Sequence, residues 1–432
     1  MPDCGLFLYL PGAQGILPEG TVIMFRKYRY HINNYKFSIV SILIILATVG
    51  LVLIQKLQDA DENQFERQLP GLLLGFLVMI VVSLIDYHFI AKMYILMYLA
   101  NLAMMIICKF VTYNCGIPGS NLVYGWAYRD AKRWIKIGGG GRPQRGFEFM
   151  PSELTKIIVI VFAAQLLVKV GDRINRFWTL CLVMGICMLP IYLIYDQPDL
   201  STSIVLTATF FCMVFLSGLT YKIVIPALAV GIPSAAGLFW YILQPNQKLI
   251  KNKYQINRIL ALQEPDKYPD LMYQQNQAAA AIESGGMFGK TIVGDTSNYA
   301  HYVPVVESDF IFAAVAEEFG FFGCILIVGL YLLMTFIGFR VAMNAKDRLG
   351  YLIAAGISIM LCTQTLVNIG VVVSLLPNTG IPLPFLSSGL SALLSNMITI
   401  GVLLNIGLQN KSTLLEKDRY EMNLNELLRD SK

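Results

Sequence analysis

The chain has 432 residues, of which 56% are hydrophobic and only 14% are charged, whereas soluble domains carry about 25% charged residues. Together with a mean hydropathy of +0.60, this composition excludes a string of soluble domains and indicates a membrane protein. The net charge of +5 is diluted among apolar segments and lacks the concentrated basic face that nucleic-acid binding requires. The eight cysteines and three histidines show no ligand spacing, so we expect free thiols, no disulfide framework and no zinc site.

Ten apolar segments are each long enough to form a helix across the membrane, since about 30 Å of hydrocarbon takes about 20 helical residues. In chain order the predicted spans are 36–55, 69–88, 90–111, 151–170, 177–195, 200–217, 222–243, 308–340, 350–376 and 384–408. We therefore expect an all-α polytopic membrane protein with about ten transmembrane helices. An even number of spans places both termini on the same side of the membrane.

The distribution of basic residues predicts which side that is. Arg26, Lys27 and Arg29 precede the first span, and such a segment favours the cytoplasm. The alternate short links agree, since they carry Lys92, Arg173, Arg176, Lys222, Arg340, Lys346 and Arg348. The predicted organisation is a cytoplasmic segment (1–35), a membrane domain (36–408) and a cytoplasmic tail (409–432). A large extracytoplasmic loop, about 244–307, joins spans seven and eight.

Two external segments, about 112–150 and 244–307, carry clustered Arg and Lys. Basic residues outside the membrane run against the charge bias that sets topology. One interpretation is contact with anionic lipid headgroups. The other is a pocket for a polyanionic substrate, because clustered Arg and Lys suit phosphate or pyrophosphate.

The first motif combines Lys132-Arg133-Trp134 with a segment that begins at Met150-Pro151 and contains Ser152, Glu153 and Lys156. Proline suits the first turn of a helix, and residues three apart share one helix face. A surface ion pair at a helix start is one interpretation of the Glu153–Lys156 spacing. The other is a pair that faces a polar cavity, because charges at a membrane helix entrance are otherwise costly. Trp134 equally suits the aromatic belt at the membrane interface.

Two further external motifs carry carboxylates. Gln197 and Asp199 lie in the hairpin between spans five and six, where Asp199 either caps the sixth helix or belongs to a site. In the large loop, Glu264, Asp266 and Asp270 lie within seven residues near several basic groups. They are candidates for a general base or for ligands of a divalent cation, and a proline-rich charged turn is the alternative.

The last two motifs lie near the final three spans. Asp309 precedes a predicted span that contains Glu317 and Glu318, and carboxylates inside a span normally face a polar interior. The segment 380–389 contains Pro382, Pro384 and Ser387. It predicts an irregular turn, which is tolerated at membrane depth only when it is buried in protein or lines a cavity.

Taken in order, these motifs resemble the shape, elongation, division and sporulation (SEDS) family, the FtsW, RodA and SpoVE group of peptidoglycan glycosyltransferases, over about residues 24–409. The resemblance implies polymerisation of lipid II at the outer face of the bacterial cytoplasmic membrane during division, elongation or sporulation. It also implies a class B penicillin-binding protein as partner. In such a reaction a carboxylate accepts the proton of the attacking hydroxyl. Basic side chains or a divalent cation, Mg²⁺ or Mn²⁺, neutralise the departing pyrophosphate.

The resemblance assigns roles residue by residue. The catalytic candidates are Asp266, Asp270 and Glu264, because Tyr268 stands where the family usually has an aspartate before the second proline. Asp266 comes first because it lies inside the Pro265–Pro269 turn that fixes the register of the loop. The substrate-binding candidates are Lys132, Arg133, Trp134, Ser152, Glu153, Lys156, Gln197, Asp199, Asp309 and Ser387. The structural candidates are Glu317, Glu318, Pro382 and Pro384. Other departures from the family pattern are Met150, Ser388 and Leu390.

Two other functions are compatible with these motifs. A flippase for lipid-linked precursors fits helices interrupted by glycine and proline, and a division or elongation scaffold needs no catalysis. A carrier requires polar groups accessible from both faces, whereas the charged motifs here concentrate in external segments. That concentration favours the polymerase.

Overall fold

The computed structural model describes residues 35–57, 64–110, 123–128, 131–137, 147–197, 199–242, 253–294 and 298–409. The predicted cytoplasmic segment, apart from its last residue, and the predicted tail, apart from its first, lie outside the described residues. The helices are α1 (Phe37–Leu57), α2 (Gln64–Leu84), α3 (Tyr87–Lys92), α4 (Tyr94–Phe110), α5 (Pro151–Val170), α6 (Phe177–Asp196), α7 (Leu200–Leu216), α8 (Tyr221–Ile242), α9 (Lys253–Gln263), α10 (Pro269–Gly285), α11 (Lys290–Val293), α12 (Ile311–Met343), α13 (Arg348–Val372) and α14 (Leu390–Leu408).

Each predicted span overlaps a helix, and the second and third spans both also overlap the short helix α3. Seven of the described helices are long and apolar enough to cross a membrane, namely α1, α2, α5, α6, α12, α13 and α14. Helices α4 and α7 and the first half of α8 are shorter apolar helices. The chain is therefore a multi-pass, mainly helical membrane protein.

Several predicted span boundaries are wrong by a few residues, and two of these differences have a clear local cause. The second span ends at Leu84 because Asp86 caps the short helix α3, its carboxylate accepting from the His88 backbone N–H at 2.9 Å. The last helix begins at Leu390 and not at residue 384. Pro382 and Pro384 have no backbone N–H to donate to a helical hydrogen bond. Gly389 has a φ of 139°, outside the helical region.

A small antiparallel sheet lies in the first external segment, where an all-helical chain was expected. Its strands are β1 (Val123–Tyr128), β2 (Ala131–Ile137) and β3 (Phe147–Phe149), in the order β1-β2-β3. Trp126 lies opposite Trp134, and Ile135 lies opposite Phe149. Because β3 leads directly into α5, the sheet fixes Arg133 over the start of that helix.

Helix α12 is interrupted at Gly320, whose φ is 65°. The segment before α11 packs against this break, and its carbonyls replace the missing helical acceptors. The backbone N–H of Phe321 donates to Gly286 (3.0 Å), and that of Phe322 donates to Met287 (3.3 Å). A Cβ atom at position 320 would overlap the Gly289 backbone. The break is thus enclosed by protein, as irregular backbone at membrane depth must be.

One end of the bundle is closed by the links that precede α3, α6, α8 and α13. The His88 ring lies 2.7 Å from Asp347, and Asn175 donates to the Gly218 carbonyl at 3.4 Å. Gln409, just after α14, donates to Asp86 at 3.2 Å. We name the group Asp86, His88, Asp347 and Gln409 the histidine clamp. These contacts place alternate links on one face, as expected for a chain that crosses back and forth.

The other end carries the turn between α13 and α14, residues 377–389, which we call the proline turn. Helix α14 has 19 residues, so about 28 Å separate the proline turn from the histidine clamp. Helix α1 passes directly against this turn, because a Cβ atom at Gly50 would overlap the carbonyl oxygen of Leu386. The predicted external motifs converge here.

Candidate functional site

The proline turn is held by polar side chains of α13. Gln364 donates to the Pro382 carbonyl at 2.9 Å, and Asn368 donates to the Ile381 carbonyl at 2.7 Å. Ser387 donates to the Ser308 carbonyl at 2.5 Å. These bonds satisfy backbone oxygens that the prolines keep out of any helix, so the turn has a fixed shape. The hydroxyl of Ser387, a predicted substrate ligand, is engaged inside the protein.

Asp199 performs the capping role that the sequence left open. Its carboxylate accepts from the Thr202 backbone N–H at 3.2 Å and lies 3.5 Å from the Ser152 hydroxyl. Ser201, two residues after Asp199, donates to the Thr379 carbonyl at 2.6 Å. The α6–α7 hairpin is thereby joined to both α5 and the proline turn.

Arg133 reaches from strand β2 to this hairpin. Its Nε donates to the Gln197 carbonyl at 2.9 Å, while the Gln197 side chain donates to the Met105 carbonyl at 3.0 Å. Arg133 and Trp134 are partly exposed, and the side chain of Lys132 lies outside the described residues. The segment predicted to be external thus brings one guanidinium to the α6–α7 hairpin.

A second arginine approaches from the large loop. Arg258 on α9 donates to the Asn378 carbonyl at 2.9 Å, and the Asn378 amide donates to Gln274 on α10 at 2.5 Å. Arg258 belongs to the basic residues noted in the external loop, but spacing gave no reason to select it. Its position depends on a contact with the proline turn, 120 residues further along the chain.

Asp309 lies just before α12, and the charges of both arginines act on it. The pKa of its carboxyl is raised, and burial is the largest cause. A hydrogen bond from Ser308 and the charges of Arg258 and Arg133 oppose this rise, whereas the charge of Asp199 adds to it. A Cβ atom at Gly380, whose φ is 68°, would lie 3.1 Å from the Asp309 carboxylate. We call Arg133, Asp199, Arg258 and Asp309 the charge cluster. It combines two cations that suit a phosphate with two fixed carboxylates.

The predicted pair Glu153–Lys156 is not on the surface. The two charges lie 2.7 Å apart and both side chains are buried. Lys156 also donates to Gln364 at 3.1 Å, and Gln364 in turn holds Pro382. The surface interpretation of this pair is therefore wrong, because α5 is enclosed by α4, α7 and α13. Through Gln364, the pair helps to hold the proline turn in place.

The predicted catalytic carboxylates are exposed and follow the helix that carries Arg258. Glu264 forms an ion pair with Lys267 at 2.5 Å, and this hydrogen bond raises the pKa of Lys267. Asp266 and Asp270 are exposed. Asp270 lies in the first turn of α10, one turn before Gln274, which accepts from Asn378. The structure therefore connects Asp270 to the proline turn through a single helix.

A divalent cation finds no ready site among these carboxylates. In the described part of the chain, no three His, Cys, Asp or Glu side chains come together as metal ligands. Glu264 is engaged by Lys267, Asp199 accepts from the Thr202 backbone N–H, and the charges of Arg258 and Arg133 act on Asp309. The residues present do not fit a cation site, so the reaction steps below use only side chains of the protein.

Glu317 and Glu318 are engaged in anchoring contacts. Glu317 is buried, pairs with Lys290, and accepts from the backbone N–H groups of Tyr299 (2.7 Å) and Ala300 (2.6 Å). Glu318 lies 2.5 Å from Lys56 at the end of α1. The two carboxylates therefore fasten the loop between α10 and α12 to the bundle.

Comparison with known proteins agrees with this architecture. The profile of the family described as cell cycle protein (FtsW, RodA, SpoVE) matches residues 34–412. The chain is 31% identical to stage V sporulation protein E of Bacillus subtilis (strain 168), over 85% of this chain and 95% of that protein. It is 29% identical to the probable peptidoglycan glycosyltransferase FtsW of Geobacter sp. (strain M18), over 87% and 97%.

A solved chain has a similar fold. It comes from a study titled "Structural coordination of polymerization and crosslinking by a peptidoglycan synthase complex". The TM-score is 0.69 at 26% identity, covering 86% of this chain and 97% of that one. Sequence profile, relatives and fold all agree over most of the length, so the chain belongs to the FtsW, RodA and SpoVE family of cell cycle proteins.

Proposed function

We propose that this protein is a peptidoglycan glycosyltransferase that polymerises lipid II at the outer face of the cytoplasmic membrane. The observation that carries the proposal is the charge cluster, in which Arg133 contacts the α6–α7 hairpin, Arg258 contacts the proline turn, and the charges of both act on Asp309. Two guanidinium groups at one end of a membrane bundle suit a pyrophosphate that is linked to a lipid. The relatives named as glycosyltransferases support the same activity.

The proposed orientation places the charge cluster outside and the histidine clamp in the cytoplasm. The links on the clamp side carry the basic residues Lys92, Arg173, Arg176, Lys222 and Lys346, as cytoplasmic links do. Cysteine labelling of intact cells, in a background without native cysteines, tests this. Reagent added from outside should label position 267 and not position 173, and the reverse result would overturn the orientation.

The reaction follows from these positions. The 4-hydroxyl oxygen of one lipid-linked sugar forms a bond to the anomeric carbon of the other chain. The bond from that carbon to the phosphate oxygen breaks, and undecaprenyl pyrophosphate leaves with the electron pair. Arg133 and Arg258 offset the charge that builds on the leaving group. A carboxylate takes the hydroxyl proton as general base.

Asp270 and Asp266 are the proposed bases. Both are exposed and follow the helix that carries Arg258, so they are accessible to a sugar whose pyrophosphate that arginine binds. Asp270 now has the stronger support, because Gln274 and Gln275 fix its helix against residues 371–378. Asp266 lies in the short 3-10 turn Pro265–Lys267 between two helices.

We further propose that the protein works with a class B penicillin-binding protein. The support is the solved chain of similar fold, which comes from a study whose title describes polymerization and crosslinking coordinated by one complex. The proposal assigns strand synthesis to this chain and cross-linking to the partner.

The test is synthesis of glycan strands from purified lipid II, with and without the cognate transpeptidase. We expect strands that require this protein and increase when the partner is added. If the folded protein with its partner makes no strands, the activity is wrong and a scaffold remains. Movement of lipid II across vesicle membranes without strand formation would instead identify a carrier.

A further inference from the structure

The first part of the link between α10 and α12, residues 286–294, has its polarity reversed relative to a loop in water. Residues 286–294 contain one charged side chain, Lys290. It is buried, where it pairs with Glu317. Thr291 donates to Glu318 at 2.6 Å. The polar groups of the segment therefore turn toward the protein.

The large apolar side chains of the same segment turn outward. Phe288 is 56% exposed, Ile292 72% and Val293 70%, and Met287 is also exposed. A loop surrounded by water gains stability by the opposite arrangement, with apolar groups inside and charges outside. The arrangement seen here suits a segment whose surroundings are apolar.

This orientation is rigidly imposed by the backbone. Gly285 and Gly289 approach α12 so closely that a Cβ atom at either position would overlap its backbone. The N–H groups of Phe321 and Phe322 donate to Gly286 and Met287. With the buried Lys290 pair, these contacts hold the segment in place, so its side chains do not turn inward by a simple rotation.

The position of the segment along α12 indicates what surrounds it. The rings of Phe288 and Phe322 lie 5.4 Å apart. From Phe322 the exposed apolar face of α12 continues through Ile325 and Leu326, along a helix that is apolar enough to span a membrane. Lys56, which pairs with Glu318, ends α1 at the same level. The exposed side chains of residues 287–293 thus continue the exposed apolar face of α12 at the end nearest Gly320.

We infer that residues 287–293 form an interfacial loop that inserts Met287, Phe288, Ile292 and Val293 into the lipid leaflet on the side of the charge cluster. We name it the anchor loop. Its partner is the acyl region of a membrane, and the inference stands on the contacts of the loop without requiring the proposed activity. The anchor loop follows α10 directly, so it sets the height of that helix above the lipid.

Spin labels test the inference in the full chain. Phe288→Cys and Ile292→Cys are labelled in a background whose native cysteines are replaced, in vesicles of phosphatidylethanolamine and phosphatidylglycerol. Power saturation compares access of oxygen, which concentrates in lipid, with access of a water-soluble nickel chelate. Leu326→Cys on the exposed face of α12 calibrates lipid, and Asn276→Cys on the exposed face of α10 calibrates water.

We expect labels at 288 and 292 to show the high oxygen and low nickel access found at 326, with the reverse ratio at 276. All four side chains are exposed, so the substitutions leave the core intact, and unchanged melting temperatures verify this. If 288 and 292 match 276, the loop is in water and the inference is wrong. Protection from both reagents would assign the surface to a protein contact, such as a second copy, and would equally overturn it.

Discussion

The ammonium group of Lys156 lies 2.7 Å from the carboxylate of Glu153, and both side chains are buried within the helix bundle. The pair lies under the proline turn, which Lys156 reaches through Gln364. Two opposite charges in this position are stable together, whereas either alone is an uncompensated charge in an apolar interior.

Removing one member of the pair should therefore destabilise the protein strongly. We expect Lys156→Met to lower the free energy of unfolding by about 3 to 5 kcal/mol, and Glu153→Gln with Lys156→Met to cost less than the sum of the single changes. Reversible unfolding in detergent measures both. Lys169→Met on the same helix, where the lysine is exposed, is the control; equal behaviour of the two lysine variants would contradict the prediction.

Loss of either arginine of the charge cluster should weaken substrate binding. We expect Arg133→Ala and Arg258→Ala each to weaken lipid II binding about 10- to 150-fold, since a charge-assisted hydrogen bond contributes roughly 1.5 to 3 kcal/mol. Titration of the purified protein with lipid II gives the affinities. Lys267→Ala changes an exposed lysine of the same loop that pairs with Glu264, and we expect it to bind nearly as the wild type. Uniform weakening in all three variants would indicate a general charge effect.

The proposed bases predict a loss of rate at constant affinity. We expect Asp270→Asn to slow strand synthesis by about 10² to 10⁴ because general-base assistance is lost. Asp266→Asn tests the alternative base, and Glu264→Gln, whose carboxylate is paired with Lys267, serves as control. Single-turnover synthesis with each membrane-inserted variant measures the chemical step. Near-normal synthesis by the Asp266 and Asp270 double variant would exclude both carboxylates.

The histidine clamp predicts a dependence of stability on pH. Burial lowers the pKa of His88, but hydrogen bonds to Asp347 and Asp86 outweigh it and raise the pKa from 6.5 to about 9. Because the folded pKa lies above the unfolded one, the stabilisation is fully present below pH 6.5 and is lost as pH rises through 9. The pKa shift corresponds to a stabilisation of at most about 3 kcal/mol, and solvent screening of the partly exposed ring reduces it further.

Melting temperatures measured from pH 6 to pH 10 in detergent test this window, because the range extends below the unfolded pKa of His88 and above its folded pKa. The wild type should lose stability as the pH rises, and His88→Gln should show a flatter profile and a lower melting temperature at pH 6. His301→Gln, which changes an exposed histidine on the opposite end of the bundle, should keep the wild-type profile. Parallel profiles for wild type and His88→Gln would remove the clamp as the cause.

The helices were largely predictable because each needs only a local apolar run. Every predicted span overlaps a helix, and the errors lie where a short polar signal ends a run, as Asp86 does before α3. The sheet was missed because Val123–Tyr128 is short and its alternation is interrupted by Gly125. A strand of this kind is specified by its partner strand more than by its own sequence.

The candidate site was predictable only in part. Asp199 and Arg133 belong to compact motifs, so their spacing marked them. Arg258, Gln364 and Asn368 did not stand out, because their roles depend on bonds to carbonyl groups of the proline turn. Such bonds join segments that are distant along the chain, and no local pattern encodes them.

Gly50 illustrates how a helix without any site residue still limits the geometry of the site. The close approach of α1 to Leu386 leaves no room for a side chain at this position, although neighbouring Ile44, Ile45 and Val52 are exposed to the apolar surroundings. A larger apolar residue at one of those neighbours would extend only into these surroundings. A side chain at Gly50 would instead press on the Leu386 carbonyl and displace the proline turn that Arg258 contacts, so the size of one residue in the first helix controls a site built from residues far later in the chain.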